Sequence, residues 1–182
     1  MVEEALLIQQ LKNSKTKNKA FKIVVSDYKE RLYWHIRKIV INHDDTDDVL
    51  QNTFIKVFKN IDTFKEDSKL FSWIYRIATN ESITFINKRA KKNTLNIEDY
   101  QQELVSNLQH NALFTGNEIQ LILQKAIATL PQKQQLVFNM KYFDELKYKD
   151  ISEILDTSVG ALKASYFHAV KKIETYIKET KH

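Results

Sequence analysis

From Ala20 to Ile41 the apolar residues Phe21, Val24, Val25, Tyr28, Leu32, Ile36 and Ile39 return every three or four positions. That spacing lays them along one stripe and predicts an amphipathic helix. A second stripe runs through Val49, Leu50, Phe54, Val57, Phe58 and Ile61. Between the two, the run Asp44-Asp45-Thr46-Asp47-Asp48 puts cap-forming and anionic side chains where a helix begins, satisfying free amides and suiting the helix dipole. A third helix is predicted from Leu70 to Ala90 through Ile74, Ile77, Ala78 and Phe85, ending in Lys88-Arg89-Ala90-Lys91-Lys92.

From Asn93 to Asn117 the apolar positions thin out and no Lys or Arg occurs, so this stretch reads as a linker. Extended, about 25 residues span roughly 80 Å, far more than joining two touching domains requires. Beyond it, Ile119, Ile122, Leu123, Ala126 and Ile127 mark a helix that stops at Leu130-Pro131, because the residue before a proline disfavours helical angles. Pro131 suits the first turn of a following helix through Leu136, Val137 and Met140. Two more helices are predicted, Tyr148 to Leu155 and Ser158 to Lys178. Residues 1–19 form either an extra short helix or a loose tail.

The last two predicted helices have the helix-turn-helix layout: a short helix with Ile151, a small Ser152 and Leu155, a tight turn, and a longer helix capped by Ser158. In the turn, Asp156 is expected to tolerate a left-handed conformation. Along the longer helix Val159, Leu162, Tyr166, Ala169, Val170, Ile173 and Ile177 form one apolar face, opposite Lys163, Ala164, Phe167, His168, Lys171 and Lys172. Any compact helical hairpin with a solvated basic face has this layout. The lysines favour DNA, because Lys163, Lys171 and Lys172 can reach phosphates while Ser158 and Ala161 to Ala164 point at base edges.

Composition narrows the picture. Two Gly and one Pro in 182 residues leave little for hairpins and sharp turns, so the fold class is all-α. The absence of Cys removes disulfides, thiolate ligands and thiol nucleophiles and suits a reducing compartment. The opening MVEEALLIQQLK carries acid where a signal peptide needs base, and no apolar run is long enough for a membrane span, so a cytoplasmic location is expected. The net charge of +5 is a weak clue until divided. Residues 1–92 hold 18 basic and 12 acidic residues (net +6), residues 93–117 hold 3 acidic and no basic (net −3), and residues 118–182 hold 10 and 8 (net +2). Two basic blocks flank an acidic spacer.

On the helix from Leu70, the residues Ser72, Arg76, Thr79, Asn80 and Asn87 fall on one side at helical spacing. They follow a polar loop, Phe64 to Lys69, and an aromatic cluster, Phe71, Trp73 and Tyr75. Aromatics interleaved with Arg, Lys and Asn suit stacking on and hydrogen bonding to unpaired bases. Trp73 itself reads as core rather than as a stacking platform.

The order of these features resembles a known family. The run Asp47-Asp48-Val49-Leu50-Gln51-Asn52-Thr53-Phe54, followed by Phe64 and by Phe71-Ser72-Trp73-Ile74-Tyr75-Arg76-Ile77-Ala78-Thr79-Asn80, resembles conserved region two of bacterial sigma factors. Leu130-Pro131, Tyr148 to Leu155 and Ser158-Val159-Gly160-Ala161-Leu162-Lys163 resemble region four. With only a spacer between, the pattern is that of the extracytoplasmic-function branch.

The resemblance implies a subunit that binds core RNA polymerase and directs promoter-specific initiation. It has two small helical domains, region 2 over 20–92 and a region 4 helix-turn-helix over 118–182, after an N-terminal extension 1–19 and joined by a flexible acidic linker 93–117. It implies that Asp47, Asp48, Gln51 and Phe54 dock on the polymerase clamp helices. Lys65, Ser68, Phe71, Ser72, Trp73, Tyr75, Arg76, Thr79, Asn80, Lys88 and Arg89 would capture and melt the minus-ten element, drawing a base out of the stack. Ser158, Ala161, Lys163, Ala164, Phe167, His168, Lys171 and Lys172 would bind the duplex minus-thirty-five element. The linker would thread the polymerase near the template strand. Core polymerase (clamp helices and flap), promoter DNA and an anti-sigma protein, often membrane-embedded in relatives, are the implied partners. No cofactor, metal or small-molecule substrate is implied. The chain departs from the family at Ala161 and Ser165, where a hydroxyl residue and an arginine are usual, and at Asp156, where glycine is usual.

An enzyme is not expected. His35, His43 and Asp44 could begin a metal-binding phosphohydrolase set, but capping explains the acidic run without a metal. That run lacks the glycine and the distal glutamate of a calcium loop. Gly116 and Gly160 are too far apart to build a phosphate loop. The competing reading is a stand-alone helix-turn-helix regulator that binds operator DNA without polymerase.

Overall fold

The computed structural model describes residues 2–107 and 118–180. Among the described residues there are nine α-helices and no strand: α1 (Val2–Lys12), α2 (Lys17–Val40), α3 (His43–Asn60), α4 (Leu70–Lys92), α5 (Ile97–Asn107), α6 (Glu118–Ala128), α7 (Gln132–Phe138), α8 (Tyr148–Leu155) and α9 (Val159–Thr180). The chain forms two compact units, residues 1–83 with 153–155 and residues 84–152 with 156–182.

In the first unit α2 packs on α3, and α1 packs on α2 and on the 3-10 turn Ile61–Thr63. The periodic stripes are the buried ones: Val24, Leu32, Ile36 and Ile39 on α2, and Val49, Leu50 and Val57 on α3. The extension 1–19 is therefore no loose tail, since α1 buries Ile8 and Leu11. α2 ends at Ile41, whose φ of 69° is unusual for a β-branched residue, and whose N–H closes on the Arg37 carbonyl at 2.9 Å. α3 begins earlier than its acidic run suggests. Asn42 is the cap, its Oδ1 accepting the Asp45 N–H at 3.0 Å, and Asp44 and Asp45 sit in the first turn.

In the second unit the core is Ala126, Ile127, Leu130, Phe138, Ala169 and Ile173, with Leu123, Phe143, Tyr166, Val170, Tyr176 and Ile177 packed against it. Pro131 is the N-cap of α7 rather than a residue of its first turn, with φ −55° and ψ 142°. Past Phe138 the helix widens into a π turn, Asn139–Phe143, in which the Asp144 N–H reaches the Asn139 carbonyl at 3.1 Å. The turn after α8 places Asp156 at φ 48°, ψ 51°, the left-handed position expected of it. The Ser158 hydroxyl then accepts the Ala161 N–H at 3.3 Å.

The acidic spacer is partly helical. Asn96 caps α5, accepting the Asp99 N–H at 2.7 Å, while its amide donates to the Asp99 carboxylate at 2.7 Å. Tyr100, Gln101 and Val105 are buried, and α5 packs on α6. The rest of the predicted linker, 108–117, lies outside the described residues.

Candidate nucleic-acid interface and docking face

α4 carries two kinds of side chain on adjoining faces, one buried and one exposed. Tyr75 and Thr79 are buried, 1% exposed each, so the structure turns these two candidates inward. Tyr75 packs at a tilt against Phe71 (centroids 4.3 Å apart) and His35 (4.8 Å). The Thr79 hydroxyl lies 2.9 Å from His35 Nε2 and donates to the Tyr75 carbonyl at 2.7 Å. Ser72 is buried too. Arg76, Asn80 and Lys88 are exposed, Arg89 is half-buried with its guanidinium 5.1 Å from the Phe85 ring centroid, and Lys65 is exposed in the loop before the helix.

The aromatic cluster is shared between core and surface. Trp73 is half-buried and packs at a tilt on buried Phe64 (5.2 Å, 39°). Phe71 is half-buried between Tyr28 (6.4 Å) and the Arg31 guanidinium (5.0 Å). Burial, followed by the negative charges of Glu4 and Asp27, pushes the Tyr28 phenol above its ordinary value. Ser68 is partly exposed in the loop.

α3 presents a different surface. Asp47, Asp48 and Gln51 are exposed and Phe54 is half-buried, and helical spacing puts them on adjoining turns of one face. Gln51 and Phe54 line an apolar groove of about 340 Å³ with Phe21, Val25, Ile55 and Phe58. Phe21 meets Phe54 and Phe58 edge-on at 6.2 and 5.0 Å. An acidic edge beside an aromatic groove suits protein docking, since polar groups there fix orientation while the groove supplies apolar area. His43 stays near that edge, its Nδ1 2.6 Å from the Tyr33 hydroxyl and its Nε2 3.9 Å from the Asp47 carboxylate, while His35 is buried elsewhere on α2.

At the start of α9 and along it every candidate is exposed: Ser158 just before the helix, then Ala161, Lys163, Ala164, Phe167, His168, Lys171 and Lys172. Leu162, Ala169 and Ile173 take the opposite side. Phe167, 54% exposed, lies under the Lys171 ammonium at 4.5 Å. A Cβ on Gly160 would meet nothing within 4 Å, so no internal contact requires the glycine. The outer face thus joins small residues near the helix start to cations further along, an arrangement that brings backbone close to a groove edge and charge to phosphates.

Residues 24–92 match the Sigma-70 region 2 family, and residues 120–173 match the Sigma-70, region 4 family. The chain is 32% identical over 152 residues to the ECF RNA polymerase sigma factor SigW of Bacillus subtilis (strain 168), covering 79% of this chain and 81% of the relative. Its fold is shared with CnrH, solved in complex with the cytosolic domain of CnrY (TM-score 0.71, 18% identity, 97% of each chain). It is shared also with the sigma factor RpoE of Bartonella quintana, solved with the anti-sigma factor NepR (TM-score 0.66, 20% identity, 88% of this chain and 98% of that one). The chain belongs to the ECF RNA polymerase sigma factors, which direct promoter-specific transcription initiation. A stand-alone operator-binding regulator is not favoured, because the match extends through region 2 as well as the helix-turn-helix.

Sequence reasoning missed Lys12, Glu4 and Glu66, whose contacts with one another and with the 64–70 segment join residues 52 to 66 apart in the chain. No local pattern announces them. The signal for α5 was present in Asn96 and Asp99, a capping pair three apart, just before Ile97, Tyr100, Leu104 and Val105.

Proposed function

We propose that the two surfaces of the first unit divide the work of initiation. The face of α3 at Asp47, Asp48, Gln51 and Phe54 docks on core polymerase. The loop 64–69, with Arg76, Asn80, Lys88 and Arg89, holds the unpaired minus-ten strand. Tyr75 and Thr79 act from beneath as supports, and Trp73 braces the loop through Phe64. The outer face of α9 binds the duplex minus-thirty-five element, and residues 93–117 connect the region 2 block (20–92) to the region 4 block (118–182). The observation that carries this reading is the division of α4, with Tyr75 and Thr79 in the core while Arg76 and Asn80 are exposed one turn apart.

The chain acts by binding, not by catalysis, and works in the cytoplasm, where polymerase and promoters are. Among the described residues no helix is long and apolar enough to cross a membrane. An anti-sigma protein holds the chain inactive between signals, a reading supported by the RpoE structure of the same fold having been solved with the anti-sigma factor NepR.

Reconstitution with core RNA polymerase tests the proposal. Added protein is expected to bind core and to make promoter thymines reactive to permanganate, while footprinting duplex DNA poorly by itself. A protein that footprints alone and supports no initiation overturns it. Arg76→Ala is expected to slow opening roughly tenfold and to leave core binding unchanged, as loss of a single strand contact requires. Equal loss of both makes Arg76 a structural residue.

A further inference from the structure

The loop 64–69 is shaped by a residue type unsuited to it. Glu66 has φ 62°, a left-handed conformation that costs any residue with a Cβ, and asparagine, aspartate and glycine adopt it far more readily than glutamate. Such a backbone persists only where its surroundings over-determine it. Here the surroundings are the N-terminal helix α1, which lies before the residues that match region 2.

Three side chains bracket the loop. Before it, Lys17 at the start of α2 pairs with Asp62 in the 3-10 turn at 3.0 Å. Within it, the Lys12 ammonium donates to the Phe64 carbonyl at 2.9 Å and to the Glu66 carboxylate at 2.6 Å, so one cation ties the two sides of the left-handed turn. After it, a Glu4 carboxylate oxygen accepts the Leu70 N–H at 3.0 Å. That N–H opens α4 and has no partner within the helix, and an anion there also suits the helix dipole. α1 is itself anchored by Ile8 and Leu11, which are buried. Lys12 and Glu66 are partly exposed (32% and 51% of their side chains), so solvent screens the pair and its value lies in geometry rather than in net attraction.

We propose that Lys12 is a positioning residue for the minus-ten loop: α1 holds 64–69 in its strand-capturing shape before DNA arrives, so that less ordering remains to be done on binding. The inference rests on the reading that this loop engages the minus-ten strand. Three readouts test it on the full chain: core binding, the rate of promoter opening, and amide exchange across 64–69 without DNA.

Lys12→Met is expected to raise exchange in 64–69 and slow opening about two- to tenfold, with core binding unchanged. Lys12→Arg restores both. Glu66→Gly adopts the turn without strain, so in its background Lys12→Met costs much less. Should Lys12→Met fail to fold, Glu66→Ala removes the acceptor while leaving α1 packed and is expected to raise exchange and slow opening in the same direction. Wild-type exchange in the loop, equal loss of core binding, or an undiminished Lys12→Met effect in the Glu66→Gly background overturns the inference. Lys65→Ala and Arg76→Ala separate it from its premise. If they slow opening and Lys12→Met does not, only the positioning role falls; if none of the three does, the minus-ten reading of the loop falls with it.

Discussion

Thr79 has one hydroxyl proton, and it goes to the Tyr75 carbonyl, so the contact with His35 Nε2 requires the imidazole to donate and the threonine oxygen to accept. The pair is buried and ties α2 to the inner flank of α4, next to the exposed Arg76 and Asn80. Thr79→Val keeps the shape and removes the hydroxyl that the buried imidazole faces, at a cost of about 1–3 kcal/mol. The midpoint of urea unfolding is expected to fall accordingly. Thr79→Ser keeps the hydroxyl and loses only a methyl, about 0.8 kcal/mol. Promoter opening per folded molecule stays near wild type in both. If instead Thr79→Ser opens promoters as poorly as Arg76→Ala while remaining fully folded, Thr79 belongs to the strand-binding face and its burial is relieved in the complex.

At the scale of elements, what could be read in advance depended on how far apart the determining residues lie. The long helices α2, α3 and α9 were legible because each buries a stripe that repeats within the helix itself, as Leu32, Ile36 and Ile39 do. Asp156 was legible as a left-handed residue because aspartate tolerates that conformation; Glu66, in the same conformation, was not, because glutamate signals nothing and its support comes from Lys12, 54 residues away. The inward turn of Tyr75 and Thr79 was likewise hidden, since helical spacing shows which residues share a side but not which side meets the core. α5 was masked by the acidic composition around it, although its cap is local. Asn96→Ala removes that cap, worth about 1 kcal/mol. Amide exchange is expected to rise across 97–107 and to stay unchanged in 159–180. Unchanged exchange in α5 means that burial of Tyr100 and Val105, rather than the cap, holds the helix.

Across the whole molecule the charge of +5 conceals blocks of +6, −3 and +2, and the smallest excess belongs to the region expected to bind duplex DNA. What matters there is placement. Lys163, Lys171 and Lys172 share the outer side of α9 with Ala161, Ala164 and Phe167, and no Arg, Asn or Gln stands among them to read base edges in pairs. Affinity for the minus-thirty-five duplex should therefore be carried by phosphate contacts and depend strongly on salt. Each phosphate neutralised contributes about 0.9 to the slope of log K against log salt. Lys172→Ala in the holoenzyme is expected to lower that slope by about 0.9 and to weaken all promoters alike. Lys171 is also engaged with the Phe167 ring at 4.5 Å, so its ammonium is shared between ring and phosphate. Lys171→Ala should lower the slope by less than Lys172→Ala while weakening binding at least as much, because it also uncovers an exposed aromatic. Equal slopes for the two variants would mean that the cation leaves the ring for the phosphate on binding, and an unchanged slope in both would turn this side of α9 away from the DNA.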